Sequence, residues 1–174
     1  PGHDSASVTR WRTPVEFTQS ISYPASADEV VAMYLAPAYL ERRFGAFLVE
    51  GSARIRVEGQ RITLDGECRP ELIPAAAARF VASPLRVTFT EEWASDEARA
   101  RSRSSVTVDG APVSVEATST LAASEGGCTR EVVGSVSVRV PLLGGRIERE
   151  AVARLGGVAN REEELAAAWL EEHR

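Results

Sequence analysis

The chain has 174 residues, 44% of them hydrophobic and 26% charged, with a formal net charge of −5. That length carries one domain with a substantial core, and that composition is ordinary for a globular protein, not a disordered or fibrous one. The acidic balance argues against non-specific nucleic-acid binding, which depends on neutralising phosphates.

Residues 1–12 read as a flexible tail or an expression remnant, and residues 13–174 as a single domain. "PVEFTQSISYP" alternates Val15, Phe17, Gln19, Ile21 and Tyr23 against polar neighbours, the period of a strand. "SADE" follows, where Ser26 and Glu29 form a capping box for a helix with Val30, Met33 and Tyr34 on one side. Pro37 opens a second short helix that stops at Gly45.

From there to about residue 140 the pattern is six antiparallel strands, with turn signals at Asp109-Gly110 and Gly126-Gly127. "PELIPAAAARFVASP", residues 70–84, is the longest excursion between them and reads either as a cover over a cavity mouth or as a packed connection. Alternation assigns Leu85, Val87, Phe89, Glu91 and Trp93 to the inner face, and Arg99, Arg101 and Arg103 to the outer one. That arginine stripe is either a solvated strand face or a contact for anionic head groups. Ala100, Ser102, Ser104, Ala117, Ser119 and Gly134 share the inner phase and are small where a dense core would be bulky. They predict either a cavity or close packing of a helix.

A final helix runs from about Ile147 to Glu171, with Ile147, Ala151, Leu155, Val158, Leu165 and Trp169 along one stripe that Glu162 interrupts. Gly144-Gly145 and Gly156-Gly157 weaken this segment, since each helical glycine costs roughly 1 kcal/mol relative to alanine. The expectation is that a neighbouring element approaches the helix closely at these pairs, with its first half bordering the cavity.

The chemistry-bearing residues are few. His3 and His173 lie at the termini, so the commonest general base and metal ligand is missing from the interior. No cofactor, metal or catalytic residue is expected. Cys68 and Cys128 make neither metal spacing nor a disulfide framework and read as buried and reduced, which suits a cytoplasmic protein. There is no transmembrane run and no signal-peptide pattern, so at most a transient membrane-surface contact is expected. Glu91 is the most informative polar residue: inward in phase, it either turns out at a bulge, pairs with inward-phased Arg130, or orients a ligand.

The order of strand, two short helices, six strands and long C-terminal helix resembles the helix-grip fold of the START-like (SRPBCC, Bet v 1-like) superfamily. "FTQSISYPASADEVVAMYLAPAYLERRF" and "GSVSVRVPLLGGRIEREAVARLGG" carry the resemblance, which covers about residues 14–172. "VPLLGGRIE" and "EEW" are similar to a bacterial branch described only as a domain of unknown function. The resemblance implies an α+β fold in which a curved seven-stranded sheet grips the last helix around a hydrophobic tunnel. Its members bind lipids, sterols or polyketides, and some are cyclases or hydrolases. The function expected is non-enzymatic binding, transport or sensing of an apolar, lipid-like molecule. Its site would be Glu91, Trp93, Phe89, Phe44, Ser102, Ala117, Leu143, Ile147 and Leu155. The alternatives are a polyketide cyclase-like enzyme, with Glu91 or Tyr34 moving protons, and a protein-interaction module without an open cavity.

Overall fold

The computed structural model describes residues 12–174; the expected tail lies almost wholly outside the described residues. Strand β1 (Val15–Tyr23) leads into helices α1 (Ala27–Tyr34) and α2 (Pro37–Phe44). Strands β2 (Arg54–Glu58), β3 (Arg61–Glu67), β4 (Arg86–Ser95), β5 (Arg99–Val108), β6 (Val113–Ser124) and β7 (Gly127–Val138) follow. A 3-10 turn (Pro70–Leu72) and one-turn helix α3 (Ala75–Ala78) fill the excursion before β4, and α4 (Gly144–Glu172) closes the chain. The capping box at Ser26 is present: its hydroxyl accepts from the Glu29 amide while the Glu29 carboxylate accepts from the Ser26 amide.

The seven strands form one antiparallel sheet in the order β1-β7-β6-β5-β4-β3-β2, so the first strand pairs with the last. Register lines up the inner-face rows. One runs Ile62, Glu91, Ser104, Ala117, Gly134, Phe17; the next runs Leu64, Phe89, Val106, Val115, Val136, Val15. Helix α4 lies across this face and packs chiefly on β1 and β7. Two of its carboxylates clip it to the sheet: Glu163 accepts from the Ser22 amide on edge strand β1 (2.9 Å) and Glu148 from the Val138 amide (2.9 Å). Covering the Ser22 donor also protects a sheet edge that would otherwise invite strand addition.

The glycine pairs divide. A Cβ at Gly144 would collide with the Val138 carbonyl, and one at Gly145 would stand 2.6 Å from the Arg12 guanidinium. Close approach of backbone therefore explains Gly144, whereas at Gly145 the neighbours are the ends of flexible arginine side chains. Gly156 and Gly157 are exposed, with no atom within 4 Å of either notional Cβ. The expected neighbour is absent there, and the helix is simply weaker.

Two of the small inner residues have a similarly direct reason. Ser102 and Ser119 are small because the Arg130 side chain occupies the space beside them, so they do not line open room. Gly134 is bare because the Phe17 ring lies over it, 2.5 Å from where a Cβ would be.

Candidate functional site

At the end of the grip where α1 and α2 cover the sheet, the interior is charged. Glu91 on β4 is buried and inward, as its phase predicts, and is ion-paired and hydrogen-bonded to Arg130 on β7. Arg130 also donates to Ser119 (2.9 Å) and Ser102 (3.0 Å), whose hydroxyls bond each other at 2.6 Å. The second Glu91 oxygen lies 3.6 Å from Nη1 of Arg43, from α2, and neither atom has a hydrogen-bond partner.

Arg43 links this cluster to α4 by donating through Nε to Glu162 at 3.2 Å. Glu162, the residue that breaks the apolar stripe of α4, is buried and accepts from Tyr39 (2.6 Å) and Tyr34 (2.9 Å). Because Tyr34 gives its proton to Glu162, the 2.5 Å contact between the Tyr23 and Tyr34 hydroxyls must be donated by Tyr23. Both guanidinium carbons stand 4.7 Å from the Tyr34 ring centroid, and Trp93 stacks on that ring at 5.4 Å.

Electrostatics follow from burial and pairing. Burial alone would raise the Glu162 pKa; Arg43 and the two tyrosine hydroxyls outweigh it and hold the carboxyl below its ordinary value. Burial works against the charge of Arg130 and Arg43, but Glu91 and Glu162 respectively reverse that effect and raise both. The Tyr23 hydroxyl is pushed up to about 12, and Tyr34 and Tyr39 also rise, in each case chiefly by burial. Two carboxylates and two guanidinia cancel. The tyrosines and the two arginines hold their protons firmly, and the cluster fixes α1, α2 and α4 against the sheet.

Beyond the cluster the core is discontinuous. Along α4, Ala159, Leu165, Ala166 and Trp169 belong to one hydrophobic cluster, and Ile147, Ala151 and Val152 to another. Leu155 lies between them and packs in neither. On the facing sheet Val106 packs on the first cluster and Val115 on the second, whereas Ala117 belongs to neither; all three are partly exposed.

The expected site residues thus fall into three groups. Glu91, Trp93 and Phe89 are buried near the charged end with Ser102, and Phe44 is partly buried with its ring 4.9 Å from that of Phe89. Leu143 and Ile147 sit in the second cluster, while Ala117 and Leu155 are partly exposed and belong to neither cluster. Sequence reasoning missed Glu162, Arg43 and Tyr39. The available signal was Glu162 itself, a carboxylate on an otherwise apolar helical stripe. Arg99, Arg101 and Arg103 are exposed on the convex face, where Arg101 and Arg103 border a shallow cleft with Glu92, Thr118 and Thr120. Cys68 and Cys128 are both free; Cys128 is buried and Cys68 partly so. No helix among the described residues is long and apolar enough to cross a membrane.

A seven-stranded curved sheet gripping a long C-terminal helix defines the helix-grip class of α+β folds. Within it, residues 18–170 match the family model for DUF2505, a protein of unknown function, and the chain belongs to that family. No curated protein matches the chain. Solved structures with a similar fold include a Mycobacterium smegmatis protein (14% identity, TM-score 0.57, covering 92% of this chain and 94% of that one). A Rhodobacter sphaeroides protein is similar at 13% identity and TM-score 0.56, covering 93% and 96%. A point mutant of Thalictrum norcoclaurine synthase, solved with a transition-state analogue, is similar at 14% identity and TM-score 0.54, covering 94% and 99%. At these identities the likeness concerns the fold.

Proposed function

We propose that the protein is a START-like (SRPBCC) binding protein that carries or senses an apolar small molecule between the sheet and the first half of α4, without turning it over. The observation that carries this reading is the break in the core. A helix gripped only for stability would bury Leu155 against Val115 and Ala117, because each large apolar side chain fully buried contributes about 1.5–3 kcal/mol. Instead Leu155 and Ala117 remain partly exposed and join neither cluster, although Val115 beside them packs on the second. The apolar body of a ligand fits against Val106, Val115, Ala117 and Leu155, with Phe44 and Phe89 at its inner end. Its polar end meets Arg43 and Glu91, whose Nη1 and Oε2 atoms lack hydrogen-bond partners. The norcoclaurine synthase likeness supports a small-molecule role for this type of cup, but a fold hosts many functions and does not choose one.

Nile red, a neutral solvatochromic dye, tests the reading. Its fluorescence should shift to the blue and saturate on titration with the folded protein. Leu155→Trp, which fills the gap from the helix side, should abolish the shift at an unchanged melting temperature. Ser102→Phe is unsuitable as a blocking variant, since it would displace Arg130. No dye binding by the folded wild-type chain would sink the proposal.

A further inference from the structure

The end of the molecule where α4 begins carries a surface that neither the fold nor the interior cluster uses. Leu142, between β7 and α4, is fully exposed (104%) and has φ of 68°. That left-handed conformation suits glycine or asparagine and is costly for a leucine. A loop selected for stability alone would not hold a bare leucine there. Pro141 beside it is exposed, and Phe80, just after α3, is 48% exposed. The two tips share one end, because Ala77 packs into the same cluster as Val140 and Leu143, and Arg154 donates to the Leu72 carbonyl at 3.4 Å.

Exposed arginines gather at this end, in a chain whose net charge is −5, alongside exposed Glu71 and Asp109. Arg146, Arg149 and Arg154 are exposed here, as is Arg79 beside Phe80. The only acids in residues 139–154 are Glu148 and Glu150. Glu148 is buried and engaged by Arg12 and the Val138 amide, and Glu150 lies 3.5 Å from Arg146. Cations in the first turns of a helix oppose its macrodipole, which favours anions at that end, and α4 has no acidic residue in its first turn. The macrodipole therefore does not account for Arg149 near the start of α4, and Arg146 is offset only by its pair with Glu150.

We infer that this end docks on an anionic phospholipid bilayer. Leu142, Pro141 and Phe80 enter the interfacial layer while the arginines meet lipid phosphates, which guanidinium groups bind through paired hydrogen bonds. Protruding apolar tips ringed by cations fit a soft anionic surface better than the flat, well-packed patch of a protein–protein interface. The inference stands apart from the ligand reading, since docking needs no occupant in the gap.

Vesicle flotation tests it with the full chain, on phosphatidylcholine vesicles and on phosphatidylcholine–phosphatidylglycerol vesicles. The protein should float with the anionic vesicles only, and less as salt rises. Leu142→Asn combined with Phe80→Ser should cut partitioning by about tenfold or more, given the apolar area withdrawn from the interface. Both positions are exposed, so the melting curve should not fall, and it reports folding of the variant. Arg101→Gln with Arg103→Gln, on the convex face, should leave binding unchanged. Absence of anionic-vesicle binding by the folded protein overturns the inference, as does equal binding by the Leu142/Phe80 variant or dependence on the convex-face arginines.

Discussion

Replacing Arg130 with methionine probes the interior cluster where it is most constrained. The substitution keeps most of the side-chain volume but removes the cation that bonds Glu91, Ser102 and Ser119. Breaking a buried ion pair by deleting one partner typically costs about 3–5 kcal/mol, because the remaining charge is left uncompensated. Here Arg43 remains 3.6 Å from the other Glu91 oxygen, which places the loss at the lower end, about 3 kcal/mol. For a chain of this size that is a fall in melting temperature of roughly 6–12 °C. Urea unfolding measures it as a lower midpoint at unchanged slope. Adding Glu91→Gln to Arg130→Met should recover part of the loss, since the stranded carboxylate, more than the missing guanidinium, causes it. A loss under about 1 kcal/mol, or a double variant no more stable than the single one, would refute the reasoning.

The glycines give opposite signs. Gly156→Ala and Gly157→Ala should each stabilise by up to about 1 kcal/mol, as both are exposed with nothing nearby, whereas Gly134→Ala should cost about 1–3 kcal/mol against the Phe17 ring and the Glu116 carbonyl. Unfolding midpoints of the three variants check this. Stability should also fall at both pH extremes. The folded-state pKa of Glu162 is depressed, so its contribution is complete above the unfolded carboxylate value and is lost as pH falls through the lower folded value. Tyr23 is raised to about 12, so its contribution is complete below the unfolded value near 10 and disappears as pH climbs from about 10 to 12. Glu162→Gln should flatten the acid limb and Tyr23→Phe the alkaline one; stability curves unchanged by either substitution would count against these assignments.

Strand phase was legible because a period of two is written locally. It correctly turned Phe89, Glu91, Trp93, Ser102 and Arg130 inward, and it named Arg130 as a partner for Glu91. What the pattern could not supply was the identity of whatever fills the space beside a small residue. Ser102 reads the same whether it faces a void or a guanidinium, and that choice depends on a strand two positions away in the sheet. Glu162 was visible as an interruption of the α4 stripe, but its partners Arg43, Tyr34 and Tyr39 come from α1 and α2, more than a hundred residues earlier. The double glycine at 156–157 misled for the converse reason: propensity predicts its cost and says nothing of a neighbour, and there is none.

Native mass spectrometry of the chain purified from its own host bears most directly on the proposal that the break in the core is a binding site. A non-covalently bound apolar molecule should accompany the wild-type protein, and Leu155→Trp, equally folded, should carry none. A wild-type spectrum of bare protein, together with failure of that protein to take up Nile red, would contradict the account.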